Sequence, residues 1–200
     1  MARRKDHTPE ELRELIVQAA CALVAMRGRG ALTARNLAAK IGYAPGTIYN
    51  VFPDMDAVLL VVQGRTLADM QDHFVRQTAS MPPDFNRIVK LARAYGAFAQ
   101  QQPRRWLALF AQPHQGKLPK WYQRQLDGIF TFIESQLQLC LQQNPATSRQ
   151  TARLLWACLH GITMLTLDGR LQAIGQSEAD TMVDTLLLPY KSSACVVMAS

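Results

Sequence analysis

The chain has 200 residues and a mass of 22.4 kDa, with 48% hydrophobic and 18% charged residues, a balance that excludes a disordered protein and leaves room for one large core or two smaller ones. Its formal charge of +7 and pI near 9.5 make a polyanion or an acidic membrane surface a plausible partner, although charge bears on association and not on fold. The excess is spread along the chain rather than gathered at one end.

Cys21, Cys140, Cys158 and Cys195 include no Cys-x-x-Cys pair and read as reduced, buried thiols. The opening MARRKDHTPEEL lacks an apolar signal region, and no later apolar run approaches the length of a membrane span, so a cytoplasmic protein is expected. Apolar residues recur at three- and four-residue spacings and alternating β-branched runs are missing, which predicts an all-α fold of about nine helices.

Thr8-Pro9-Glu10-Glu11 starts the first helix as a capping box, with proline where an amide would be orphaned. Leu12, Leu15, Ile16, Ala19, Leu23 and Met26 form its apolar face, and Gly28 and Gly30 end it. A short second helix is predicted from Thr33 to about Lys40, and APGTIYNVF, Ala44 to Phe52, supplies a third of similar size. Asp54 caps a long fourth helix reaching about residue 78, and Met81-Pro82-Pro83-Asp84 breaks the chain. A fifth helix carries Phe85, Ile88, Val89, Ala92, Tyr95 and Phe98. Pro103 opens a short sixth, residues 112–116 form a loop, and a seventh runs from Pro119 to Gln143. The last two, near 147–168 and 177–188, are apolar round much of the cylinder, and packing against a second subunit would cover them. Leu155, Leu159, Ile162, Met182 and Leu186 are the candidates for that four-helix contact. The tail SSACVVMAS fits either a frayed end or further interface.

ALTARNLAAKIGYAPGTIYNVF meets the steric needs of a helix-turn-helix. Ala38 is small where two helices approach, Gly42 falls where the turn needs positive φ, and Ile48 is the apolar residue that seats the second helix on the first. With Thr33-Ala34-Arg35, Pro45-Gly46-Thr47-Ile48-Tyr49, Phe52 and Asp54 to Leu59, this stretch resembles the DNA-binding domain of TetR/AcrR-family transcriptional regulators over residues 9 to about 60. Trp156 and His160-Gly161 look like the Trp-His-Gly signature of one C-terminal subgroup of that family.

The resemblance implies a helix-turn-helix domain over residues 1–53 and a ligand-binding and dimerisation domain over 54–200. It also implies a homodimer on double-stranded operator DNA, a repressor by the family's usual mode, and release by a small-molecule effector. The third helix would enter the major groove. Thr47 and Tyr49 match positions that contact the DNA backbone, and Thr33 has the same role one helix earlier. The leading amides near Gly46 and Thr47 would favour phosphate. Arg35 can fork onto guanine and Asn50 onto adenine; Tyr43, Ala44, Pro45 and Gly46 line the leading edge; Arg3, Arg4 and Lys5 form an arm for the backbone or the minor groove. Two departures weaken phosphate binding: Ala44 stands where a capping side chain is usual, and Met55 and Val51 stand where basic or histidine-like residues are frequent.

Phe98, Trp106, Phe110, Trp121, Phe130 and Met164 are candidates to line an effector pocket, with His114 and His160 as orienting groups, although residue by residue core is the better reading. No metal-ligand spacing, nucleophile elbow or phosphate loop is present, so neither a metal, a cofactor nor an enzymatic activity is expected. The competing class is a non-enzymatic helical interaction protein whose basic surface binds acidic partners without reading DNA sequence.

Overall fold

Caps written into the sequence set most of the element boundaries. The computed structural model describes residues 7–111, 117–175 and 178–195, the last four by backbone alone. These form α1 (Pro9–Arg27), α2 (Ala34–Ile41), α3 (Pro45–Tyr49), α4 (Met55–Thr78) and α5 (Phe85–Gln101), then α6 (Pro103–Leu109), α7 (Lys120–Leu141), α8 (Pro145–Leu167), α9 (Arg170–Ala173) and α10 (Ala179–Cys195). A 3₁₀ turn, Arg29–Ala31, follows α1. The described residues include no strand.

At α1 the Glu11 amide donates to Thr8 Oγ1 (3.2 Å) and the Thr8 amide donates to Glu11 Oε2 (2.7 Å), so two otherwise orphaned donors are satisfied reciprocally. The same logic recurs where the Ala57 amide donates to Asp54 (2.7 Å) and the Thr147 amide to Asn144 (2.9 Å). Gly42 closes α2 in the left-handed region, φ 77° and ψ 27°, and turns the chain toward α3.

Two elements differ from expectation. About nine helices become ten, because α9 is a separate turn between Gly169 and Gly175, both at positive φ. The last helix continues past residue 188, through Pro189, to Cys195. A proline removes one backbone donor, and the buried Val183 and Leu187 anchor the turns before it.

The chain packs as two compact units, residues 1–66 with 102–118 and residues 67–101 with 119–200, whereas the division drawn on sequence lies between 53 and 54. In the first unit α6 returns to α1 and is tied there. Arg104 donates to the Met26 carbonyl (2.6 Å), Arg29 to the Ala111 carbonyl (3.2 Å) and Gln63 to the Ala108 carbonyl (2.8 Å). Ile16, Ala20 and Val24 of α1, Leu37 of α2 and Ile48 of α3 share its core with Ala108.

In the second unit α5, α7, α8 and α10 pack against one another. The expected dimer-facing set is corrected there. Leu155, Leu159 and Ile162 are only 5%, 9% and 9% exposed, and Met182 and Leu186 are half-buried. The large apolar residues that α8 leaves outside are Leu154, 56% exposed, Trp156, 38%, and Leu165, 36%. Among the described residues no helix is long and apolar enough to cross a membrane.

Gly42 and Gly46 separate two kinds of glycine. A side chain at Gly42 meets no atom but must adopt positive φ, whereas Gly46 is helical with open space around the Cβ position. Gly42→Ala is therefore expected to lower unfolding free energy by about 1 kcal/mol or more, and Gly46→Ala to leave it unchanged or slightly raised. Urea denaturation of both variants checks this; equal losses would contradict it.

Candidate nucleic-acid interface and ligand cavity

A five-residue helix needs tertiary burial to persist. In α3 that burial comes from Ile48, fully buried, and from Phe52 just beyond it, 2% exposed. The Arg13 guanidinium lies 4.3 Å above the Phe52 ring and covers it from the α1 side. With those side chains turned inward, the opposite face is presented outward. Ala44, Pro45, Gly46 and Asn50 are exposed, Tyr49 is 52% exposed, and Thr47 and Tyr43 are half-buried. Asn50 follows α3 as its C-terminal cap rather than lying within it.

Ala44 makes no side-chain cap. The Thr47 amide donates to the Ala44 carbonyl (2.9 Å), so of the two leading amides read as free only that of Gly46 lacks an acceptor among the described residues. Thr33 caps α2 by accepting from the Asn36 amide (3.2 Å), which leaves its hydroxyl proton to donate outward. Arg35 is exposed on the first turn of α2, while Asn36 beside it is held by its bond to the Ala31 carbonyl (2.8 Å). Val51 and Met55 pack against the core of the unit. Arg3, Arg4 and Lys5 lie outside the described residues.

Sequence reading missed His7. Its Nδ1 shares a 2.7 Å hydrogen bond with the Tyr43 hydroxyl, tying the residue before the α1 cap to the turn before α3. The partners are 36 residues apart, so no local pattern announces the bond.

The second unit holds an apolar cavity of about 40 Å³ bounded by Phe74, Leu91, Tyr95, Leu137, Trp156 and Leu159 among others. None of the seven described residues among those proposed from sequence forms its wall, but two stand directly behind it. His160 Nδ1 shares a 3.1 Å hydrogen bond with the Tyr95 hydroxyl and its ring lies 5.7 Å from that of Trp156, against which Phe130 packs edge-on at 6.0 Å. Phe98 is buried against His73 (5.8 Å between rings), Trp121 is exposed beside Tyr122, and Met164 is half-buried on α8. Trp106 and Phe110, rings 5.0 Å apart, belong to the first unit, where α6 packs on α1. His114 lies outside the described residues. Tyr95 and Trp156, which do line the cavity, were legible only as an apolar-face residue and as part of the Trp-His-Gly match.

Comparison with known families matches residues 16–62 to the bacterial regulatory proteins of the tetR family and residues 88–188 to a tetracyclin repressor-like C-terminal domain. The chain belongs to the TetR family. No curated protein matches its sequence significantly. Solved structures share the fold of this TetR-family protein at low identity. A protein of unknown function from Rhodococcus sp. RHA1 superposes with a TM-score of 0.75 at 17% identity, covering 96% of this chain and 98% of its own. A tetR-family transcriptional regulator from Streptomyces coelicolor gives 0.67 at 19%, covering 95% and 83%. The regulator FadR from Bacillus subtilis in complex with stearoyl-CoA gives 0.66 at 13%, covering 90% and 98%.

The two histidines of the regulator's second unit have a consequence for stability. Burial holds the His160 imidazole below its ordinary pKa. His73 is lowered by burial first and then by the charges of Arg76 and Lys90, and its Nε2 is buried without a hydrogen-bond partner. A folded-state pKa below the unfolded value means that the unfolded chain takes up protons first, so this stability is present above about pH 6.5 and is lost as pH falls toward the folded values. A His73→Leu/His160→Leu variant is expected to lose less stability than the parent between about pH 7.5 and 5.5 in urea titrations. Parallel losses would show that carboxylates alone carry the acid sensitivity.

Proposed function

We propose that this TetR-family regulator is a repressor that binds double-stranded operator DNA as a homodimer and is released by a small molecule held in its second unit. The observation that carries the reading is the division of α3 into a buried seat, Ile48 with Phe52, and an outward face of Gly46, Tyr49 and Asn50. A helix seated this way offers side chains to the major groove, where base edges present a full donor and acceptor code. DNA binding is assigned to residues 1–53 and dimerisation and ligand binding to 54–200.

In this reading Thr33, Thr47 and Tyr49 hold phosphates, with the Gly46 amide at the leading edge. Arg35 reads guanine O6 and N7, and Asn50 reads adenine. The Arg3-Arg4-Lys5 arm follows the backbone or the minor groove, its departure point set by the His7–Tyr43 bond. Dimerisation uses the outward stripe of α8, where Leu154, Cys158, Gly161 and Leu165 recur at helical spacing, with Leu188 of α10 exposed as well. Gly161 has open space where a Cβ would stand, which permits close approach by a second helix. Effector occupancy acts through α4, whose residues contribute to both units along one continuous helix. That FadR from Bacillus subtilis is in complex with stearoyl-CoA supports the binding of an effector by this regulator.

The reading is tested on fragments selected from a random DNA pool by fluorescence anisotropy. Arg35→Ala is expected to lose about 1–3 kcal/mol of discrimination at one base pair per half-site, and Tyr49→Phe to weaken all sequences alike. Binding equal for every sequence and unchanged by both substitutions would assign the basic surface to acidic partners instead. Separately, Leu154→Glu/Leu165→Glu is expected to give monomers by light scattering; a dimer of undiminished stability would move the interface off this stripe.

A further inference from the structure

Ala92 and Leu159 form a wall shared by two spaces in the second unit. On one side lies the apolar cavity of about 40 Å³, well below the roughly 300–1,000 Å³ of ordinary small-molecule sites. On the other lies a groove of about 370 Å³ between α5, α8 and the first turns of α10. The two spaces differ sharply in chemistry. Aliphatic and aromatic side chains enclose the cavity, whereas Lys90, Arg93, Gln100, Thr163, Thr166 and Asp180 give the groove a polar lining between its apolar residues.

The groove's charge is unevenly spent. Arg93 is paired, 2.7 Å from Asp184 and 3.9 Å from Asp180 across to α10. Lys90 makes no ion pair among the described residues, so it is the lining cation whose charge is not already matched. Thr163 is only 5% exposed, lines the groove and has no hydrogen-bond partner among the described residues. Opposite it Gly96 leaves the groove wide, since a Cβ there would come within 3.8 Å of Thr163 Oγ1. The Thr163 hydroxyl reaches the groove surface and can donate to a bound acceptor.

We propose that groove and cavity are the two ends of one binding site for an amphipathic monocarboxylate, its carboxylate in the groove beside Lys90 and Thr163 and its hydrocarbon tail passing Leu159 into the cavity. Leu159 is the gate: displacing that one side chain joins a polar space that can solvate a head group to an apolar space that can take the end of a hydrocarbon chain. The proposal rests on the reading that the second unit binds the effector, and it names that effector's class.

Calorimetric titration of the full-length protein with hexanoate, octanoate, decanoate, decanol and decyltrimethylammonium tests it without DNA. Saturable carboxylate binding is expected, strengthening by about twofold to fourfold per added methylene. Lys90→Gln should weaken decanoate by about threefold to fivefold while leaving decanol unchanged. Gly96→Leu, which fills the groove on a half-exposed helix position, should abolish decanoate binding with no fall in melting temperature. Leu159→Trp should remove the dependence on chain length. Equal affinity for hexanoate and decanoate, tighter binding of decyltrimethylammonium than of decanoate, or full decanoate binding by Gly96→Leu would each overturn the assignment. Decanoate that binds but leaves operator affinity unchanged would contradict the effector role alone; release of operator by some other molecule, with no decanoate bound, would contradict this inference alone.

Discussion

The burial of Ile48 is the interaction on which the DNA-binding unit depends. A helix of five residues, started by Pro45 and lacking a capping side chain at Ala44, has too few internal hydrogen bonds to persist by itself. Its position is set by Ile48 and Phe52 in a core built from α1 and α2, and by the left-handed turn at Gly42 that aims the chain into that core. Full burial of a side chain of that size supplies roughly 1.5–3 kcal/mol, more than a cap would. The exposed face is therefore rigid because the other face is packed.

That constraint explains what the sequence places around it. Val51 and Met55, where phosphate-binding side chains are frequent in the family, are drawn into the same core. The Tyr43 hydroxyl is engaged by His7, so the turn before α3 and the residue before the α1 cap are positioned together. Arg13 lies over Phe52 and ties α1 to the base of α3. Stability and the proposed recognition thus draw on neighbouring residues of one short segment, and a substitution at the packed side is expected to change both.

Much of this was legible in the residues. The Thr8–Glu11 box, Gly42 and Asp54 act through neighbours three or four positions away, so their roles follow from local spacing. Faces of a helix apolar on several sides do not. In α8 the period alone could not decide whether Leu154 or Leu155 faces inward, and the packing of α5, α7 and α10 chose Leu155. Trp106 and Phe110 were grouped with the aromatics of the larger unit because they follow α5 in the chain. Their placement depends on the bonds Arg104 and Arg29 make to residues about eighty positions away. The cavity and its wall likewise come from side chains of α4, α5, α7 and α8 that meet only in the fold.

In the proposed complex α3, seated by Ile48, lies in the major groove of a specific DNA site, and does so twice per dimer. Methylation interference on a fragment selected by the protein tests this directly, because methylation at guanine N7 blocks the major-groove edge. The account predicts that methylated guanines abolish binding in two symmetry-related patches whose centres lie about one helical turn, or a multiple of it, apart. Interference at a single patch, or binding indifferent to N7 methylation throughout, would contradict it.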